Sequence, residues 1–365
     1  MTVRDAKQAI AIAEGAVSQR VLLATDGVEP SPINVFGERV VVERGRDVPA
    51  LVNRSAALAA SGERVALVAS ARDLTAARDA LAHIAARRLG LVVHCLDNGP
   101  EGVDAPSDLG SSSALSLADL PWGMLVAVGA AESLDLSLVA RRAAEDSGCP
   151  FFVVHEKSSA ATSRRSELLV APTREMGDSF LGGARLAPPP GGDLRAVGAR
   201  VPFALASALR EMEALSVRRL DVLERAPAGD ASLALVGFGA TGEAMVGQVA
   251  RLRAGGHEVA AVRVVAWRPF PGPRLVKALS RAVAVCVIDA VDRPLSGSPL
   301  GVELKAAFSD ALTWAPGYPG IGRIPRIVSG VCPPGRAMTP RDVDALLEHL
   351  SSDDRAERTV VLDRG

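Results

Sequence analysis

Short apolar runs alternate with alanine-rich stretches of helical period along almost the whole chain. In the first half the runs are RVLLA (Arg20 to Ala24), RVVVE (Arg39 to Glu43), RVALVA (Arg64 to Ala69), LGLVVHCL (Leu89 to Leu96), GMLVAV (Gly123 to Val128) and CPFFVVHE (Cys149 to Glu156). Their length and valine content predict buried strands. Between them, VPALVNRSAALAASG, DLTAARDALAHIAARR and AESLDLSLVARRAAEDSG each predict a helix ending in glycine or a basic cluster, which suits a helix C-terminus. This alternation predicts the α/β class, with mainly parallel sheets flanked by helices. DNGPEGVDAPSDLGSSS (Asp97 to Ser113) is too long and turn-rich to be a simple connection, and loops of this kind are often functional.

The pattern breaks at RLAPPPGGDLRAVGARVP (Arg185 to Pro202), whose prolines and paired glycines suit neither a sheet nor a helix interior. A helix, FALASALREMEALSVRRLDVLERA, is expected after it, and a second α/β unit opens near Ser232. The expected organisation is a first domain over 1–185, a proline-rich link and helix over 186–230, a second domain over 231–350 and a tail over 351–365, with no single sheet continuous through both halves. Thr339 and Pro340 stand where an N-cap and a first helical residue would start the last helix.

Composition narrows the function classes. The 41 basic and 42 acidic residues form no like-charged run, so neither nucleic acid nor an anionic membrane surface is an expected partner. The apolar runs are strand-sized, and the first twenty residues lack the apolar core of a signal peptide. Four scattered cysteines without C-x-x-C spacing argue against an iron–sulfur or structural zinc site in this chain and suit a reducing, cytoplasmic setting. With 48% apolar but only 3% aromatic residues, alanine, valine and leucine must fill the cores.

LALVGFGATGEAMVGQVARL contains Gly237, Gly239 and Gly242 in G-x-G-x-x-G order after an apolar run. A dinucleotide site also needs an acid at the far end of the next strand. That strand, Glu258 to Trp267, ends apolar and then basic at Arg268, with Glu258 at the wrong end. The glycines are therefore read as letting a helix start close to the sheet, and no NAD is expected.

The residues beyond this helix are more specific. The phrases WRPFP (Trp267 to Pro271), AVCVIDAVDRP with Asp289, PLGVELKAAF and the closing RIPRIVSGVCPPGRAMTPRDVDALLEHL together resemble the second domain of the pyruvate:ferredoxin oxidoreductase family, which is like the C-terminal domain of transketolase. Gly123 to Arg164 resembles a segment of that family's first domain, and the helix after Pro202 its linker. The resemblance implies a thiamine-diphosphate-binding fold followed by a transketolase C-terminal-like domain, in an α-type subunit of a 2-oxoacid:ferredoxin oxidoreductase. It implies 2-oxoacid and CoA as substrates and a β-type partner chain holding the diphosphate, Mg²⁺ and iron–sulfur clusters, with ferredoxin-like and γ-type subunits. Here the family's Gly-Asp-Gly motif is absent.

The family's first-domain contacts map onto altered residues. Its substrate-loop threonine falls on Glu29 in TDGVEPSP, and the acid that meets the aminopyrimidine falls on Val48, leaving Glu43 and Asp47 as the nearest carboxylates. The approximate counterpart of its substrate arginine is Asp97. Each acid has a plainer role: Glu43 a solvated rim charge, Asp47 a helix cap, Asp97 a turn residue. Three readings are open. The chain is a catalytic α-type subunit with Glu43 and Asp47 as thiamine contacts, a non-catalytic structural subunit, or an NAD-dependent dehydrogenase.

Overall fold

The computed structural model describes residues 2–3, 5–96, 114–156, 167–169, 171–183, 193–216, 218–227, 229–290, 298–332, 338–352 and 359–362. The turn-rich segment with Asp97 and the triple proline lie outside the described residues.

The strands are β1 (Thr2–Val3), β2 (Arg20–Leu23), β3 (Val41–Arg44), β4 (Val65–Ser70), β5 (Val92–Leu96), β6 (Gly123–Val128), β7 (Phe151–Glu156), β8 (Glu167–Leu168), β9 (Leu223–Ala226), β10 (Leu233–Phe238), β11 (Val259–Val264), β12 (Ala266–Arg268), β13 (Ala284–Ala290), β14 (Arg326–Cys332) and β15 (Thr359–Val361). The helices are α1 (Ala6–Val17), α2 (Val48–Ala60), α3 (Ala71–Ala76), α4 (Arg78–Ala86), α5 (Gly129–Ser147), α6 (Arg174–Leu181), α7 (Leu194–Ser216), α8 (Gly239–Ala254), α9 (Gly272–Leu279), α10 (Pro299–Leu312) and α11 (Pro340–Ser351).

Two mainly parallel sheets result, flanked by helices as the alternating pattern requires. The first has the order β12-β6-β7-β5-β4-β2-β3, parallel except for β12. The second has the order β15-β14-β13-β10-β11-β9, parallel except for β9. Sequence-continuous apolar strands make sense here because both faces of a parallel sheet are covered by helices. All six residues of β5's neighbours β4 and β7 are buried or nearly so.

The single helix expected over DLTAARDALAHIAARR is two, α3 and α4, and three further elements differ from the sequence expectation. The run 258–267 is two strands: β11 stays in the second sheet, and after Val265 the chain crosses to pair β12 antiparallel with β6 of the first sheet. The linker helix begins at Leu194 and carries Pro202 in its interior. The residue one turn before that proline is Gly198, whose missing side chain leaves open space there. The end of that expected helix, Leu223–Ala226, is instead the edge strand β9, bonded to β11, with Glu224 and Arg225 as its charged residues. A charged antiparallel edge protects an open sheet from further pairing.

The domains share one apolar cluster. It runs from Val52 and Leu81 through Trp122 and Phe152 to Trp267, and on to Val287 and Phe308. Trp122 stacks on Phe152 with ring centroids 4.3 Å apart, and Trp267 lies 5.0 Å from Phe238. A second cluster holds α1, α5 and α7 against the other face of the first sheet.

Candidate functional site

Open α/β sheets place ligands at the carboxyl ends of their parallel strands. Glu43 does not look that way. Its carboxylate meets Arg20 Nη1 at 3.0 Å and Arg54 Nε at 3.2 Å, and Arg20 also holds Glu63 at 2.6 Å. Arg20 opens β2 and Glu63 precedes β4, so this network lies towards the entry edge of the sheet. Hydrogen bonds from Arg54 and then Arg20 outweigh partial burial and hold the Glu43 carboxyl below the usual range.

Asp47 caps α2, accepting from the Ala50 amide at 3.0 Å, with Pro49 in the first turn. Val48, the residue after Asp47, is 4% exposed and packs in the core. Glu29 is exposed and pairs with Arg44 Nη2 at 2.8 Å. Glu43, Asp47 and Glu29 are thus each engaged by a different partner, with no group shared between them. An acid that serves an aminopyrimidine must be free to share a proton with a ring nitrogen. Glu43, fixed between guanidinium groups, and Asp47, engaged by its own helix, do not fit that role as they stand.

The glycine turn lets α8 start close to the sheet, and it also receives a carboxylate. Gly239 has φ +56, in the left-handed region, and a β-carbon there would collide with the Glu156 carboxylate. Glu156 ends β7 in the first domain, and its Oε2 accepts from the Ala240 amide at 2.6 Å. A carboxylate thus sits on the N-terminus of α8, where the helix dipole and free amides favour negative charge. Gly237 and Gly242 face each other closely, and a β-carbon on Gly242 would lie 2.6 Å from Arg263 Cγ.

Arg263 is the penultimate residue of β11 and is only 4% exposed. It donates to Glu132 Oε2 at 3.0 Å and approaches Glu224 at 2.7 Å. Burial opposes its charge, but Glu132 and Glu224 outweigh that and raise its pKa further. Glu132 lies in the first turn of α5 and also accepts from the Val128 amide, so the pair joins the domains at a helix start. Arg268, after Trp267, donates to the Ala118 carbonyl at 2.9 Å and to Glu303 at 2.7 Å, which gives it a bridging role. Sequence reading passes over Glu132, Glu156 and Arg263. For Glu156 and Arg263 the signal is a charge within or at the end of an apolar strand, where burial demands a partner, and for Glu132 it is an acid in the first turn of a helix.

Two further buried polar groups set the electrostatics. In the first domain Glu14 accepts from Arg141 Nη2 at 2.9 Å and faces His94 Nε2 at 2.9 Å; His94 Nδ1 lies 3.0 Å from His155 Nε2, and His155 Nδ1 2.9 Å from Ser133 Oγ. Burial works against Glu14's charge, but Arg141, His94 and Ser18 together hold its carboxyl at about 2. Burial, with His94 alongside, holds His155 well below the ordinary histidine range. In the second domain Asp289, buried at the end of β13, accepts from Ser298 Oγ and from the Leu300 amide at the start of α10. Burial outweighs those bonds and pushes it up to about 6.

The four cysteines are buried and none is in a disulfide, and burial pushes up the thiols of Cys95, of Cys149 to about 11 and of Cys286 to about 12. Among the described residues no group of three histidine, cysteine or acidic side chains could hold a metal, and no helix is long and apolar enough to cross a membrane.

Comparison with known proteins places these features. Residues 231–324 match the family model of the pyruvate:ferredoxin oxidoreductase core domain II. A putative pyruvate-flavodoxin oxidoreductase of Synechocystis sp. is 33% identical over 128 residues, 34% of this chain but only 10% of that protein. A solved 2-oxoglutarate:ferredoxin oxidoreductase from Magnetococcus marinus, holding 2-oxoglutarate, coenzyme A and succinyl-CoA, superposes with TM-score 0.56 at 13% identity, over 95% of this chain and 64% of that one. A split-gene transketolase, an inactive β4 tetramer, superposes with TM-score 0.54 at 14% identity, over 95% of this chain and 94% of that one. These structural likenesses concern the fold. Residues 231–324 are thus similar in sequence to the pyruvate:ferredoxin oxidoreductase core domain II, and the fold of nearly the whole chain is shared with the two solved structures.

Proposed function

We propose that the chain acts as the α-type subunit of a 2-oxoacid:ferredoxin oxidoreductase. On this reading it pairs with a β-type chain that carries thiamine diphosphate, Mg²⁺ and iron–sulfur clusters. The assembly oxidatively decarboxylates a 2-oxoacid, transfers the acyl group to CoA and passes electrons to ferredoxin. One observation supports the reading: the two sheets' units are joined by part-buried contacts, Glu156 on α8 and Glu132 on Arg263, as a two-domain α-type subunit would require.

A second reading is a structural subunit that keeps the fold and partner surfaces without catalytic groups. It is favoured by the engagement of Glu43 by Arg20 and Arg54, of Asp47 by Ala50 and of Glu29 by Arg44. Co-expression with a thiamine- and cluster-bearing chain tests both. Complex formation with turnover lost on omitting this chain supports the first. A complex whose turnover is unchanged in Glu43→Gln and Asp47→Asn shows that neither acid contacts the cofactor. Failure of any such complex to form removes both readings.

A further inference from the structure

The N-terminus of α8 has the makings of an anion site: a glycine turn, a helix of 16 residues and the Ala240 amide directed at a carboxylate. It differs from a vacant phosphate site because a carboxylate of the same chain is aimed into it. Glu156 is 9% exposed, its Oε2 is 2.6 Å from the Ala240 amide, and the position of Gly239 leaves room for that carboxylate and for nothing larger than hydrogen.

We propose that Glu156 is the built-in occupant of this anion site, closing it to phosphate-bearing ligands and latching the second domain to the first. Three features support this. Gly239 at φ +56 adopts a conformation few other residues tolerate, so the backbone is shaped around the contact. The neighbouring Glu132–Arg263 pair crosses the same interface, and Gly242 lets Arg263 lie against the turn. Trp267 and Phe238 pack beneath, in the cluster common to both domains, so the carboxylate sits beside a dry contact that strengthens its interaction. The G-x-G-x-x-G spacing is thereby explained as a latch seat. The proposal does not depend on the oxidoreductase reading.

Amide hydrogen exchange at Ala240, measured on the full chain, tests it. In wild type the Ala240 amide should exchange slowly, at a rate unaffected by inorganic phosphate. In Glu156→Ala it should exchange at least tenfold faster, and tens of millimolar inorganic phosphate should slow it again. Gly239→Ala, which evicts the carboxylate sterically while leaving Glu156 in place, should also speed exchange and serves if Glu156→Ala does not fold. Unchanged Ala240 exchange in a folded variant overturns the latch. Faster exchange that phosphate does not slow overturns the anion site, as does a phosphate response in wild type.

Discussion

Arg263 and Glu132 form an ion pair between a β-strand of the second domain and the first turn of a helix in the first, with Arg263 Nη1 3.0 Å from Glu132 Oε2. The guanidinium is almost fully enclosed, while Glu132 keeps about a quarter of its side-chain surface (26%). Removing the arginine therefore strands an acid that water can still reach. Arg263→Met is expected to cost roughly 2 kcal/mol, less than the ~3–5 kcal/mol of breaking a fully enclosed pair. Urea unfolding should show one joined transition in wild type and, in the variant, a loss of stability with the two domain transitions separated. An unchanged single transition would contradict the interface role.

Two glycines of α8 should respond oppositely to alanine. A β-carbon on Gly242 would meet the Gly237 carbonyl at 2.9 Å as well as Arg263, whereas Gly247 has open space around it. Gly242→Ala should destabilise by ~1–3 kcal/mol, the scale of overpacking. Gly247→Ala should stabilise by ~0.5–1 kcal/mol, the helix-interior gain over glycine. Thermal melting of the two variants checks both signs.

Glu14 makes the first domain acid-sensitive. Its folded pKa of about 2 lies below the ordinary 4.5, so its contribution is present above pH 4.5 and is lost as pH falls towards 2. Glu14→Gln leaves Arg141 and His94, both 0% exposed, without their anion. A loss of ~3–5 kcal/mol is expected at pH 7. Unfolding measured from pH 7 to pH 2 should be flatter in the variant than in wild type, if it folds; a fully preserved acid limb would contradict this.

Asp289 has the opposite sign. Raised from 3.8 to about 6, it favours the protonated folded state, so its contribution is full below pH 3.8 and is lost as pH rises through 6. The ionised form costs on the order of 3 kcal/mol at neutral pH by the conversion of pKa shift to free energy. Asp289→Asn should remove the pH dependence of second-domain stability between pH 4 and 6. Equal slopes for variant and wild type in that window would contradict the assignment.

Local rules made much of this fold legible. Thr339 and Asp342 form the capping box that starts α11, and Asp47 with Pro49 starts α2, because caps depend on residues a few places apart. The apolar run 258–267 hid the change of sheet at Val265, since both halves are buried and no turn residue separates them. Pro202 disguised the early start of α7, because a proline normally ends a helix. The charged groups were least legible. Glu14 meets Arg141 and His94 across 127 and 80 residues of sequence, and Glu156 meets Ala240 across 84. Such partners are set by strand order, which short-range periodicity does not encode. The direction of Glu43 was hidden for the same reason, as Arg20 and Arg54 reach it from separate elements.

The central claim, that this chain is a working part of a 2-oxoacid:ferredoxin oxidoreductase, is tested most directly by turnover. The measurement is CoA-dependent reduction of ferredoxin, or of a viologen dye, by the chain reconstituted with a thiamine- and cluster-bearing partner and supplied with pyruvate or 2-oxoglutarate. Reduction that requires both chains and the 2-oxoacid is the expected result. A stable complex that reduces neither acceptor with any 2-oxoacid would contradict it and leave a structural subunit.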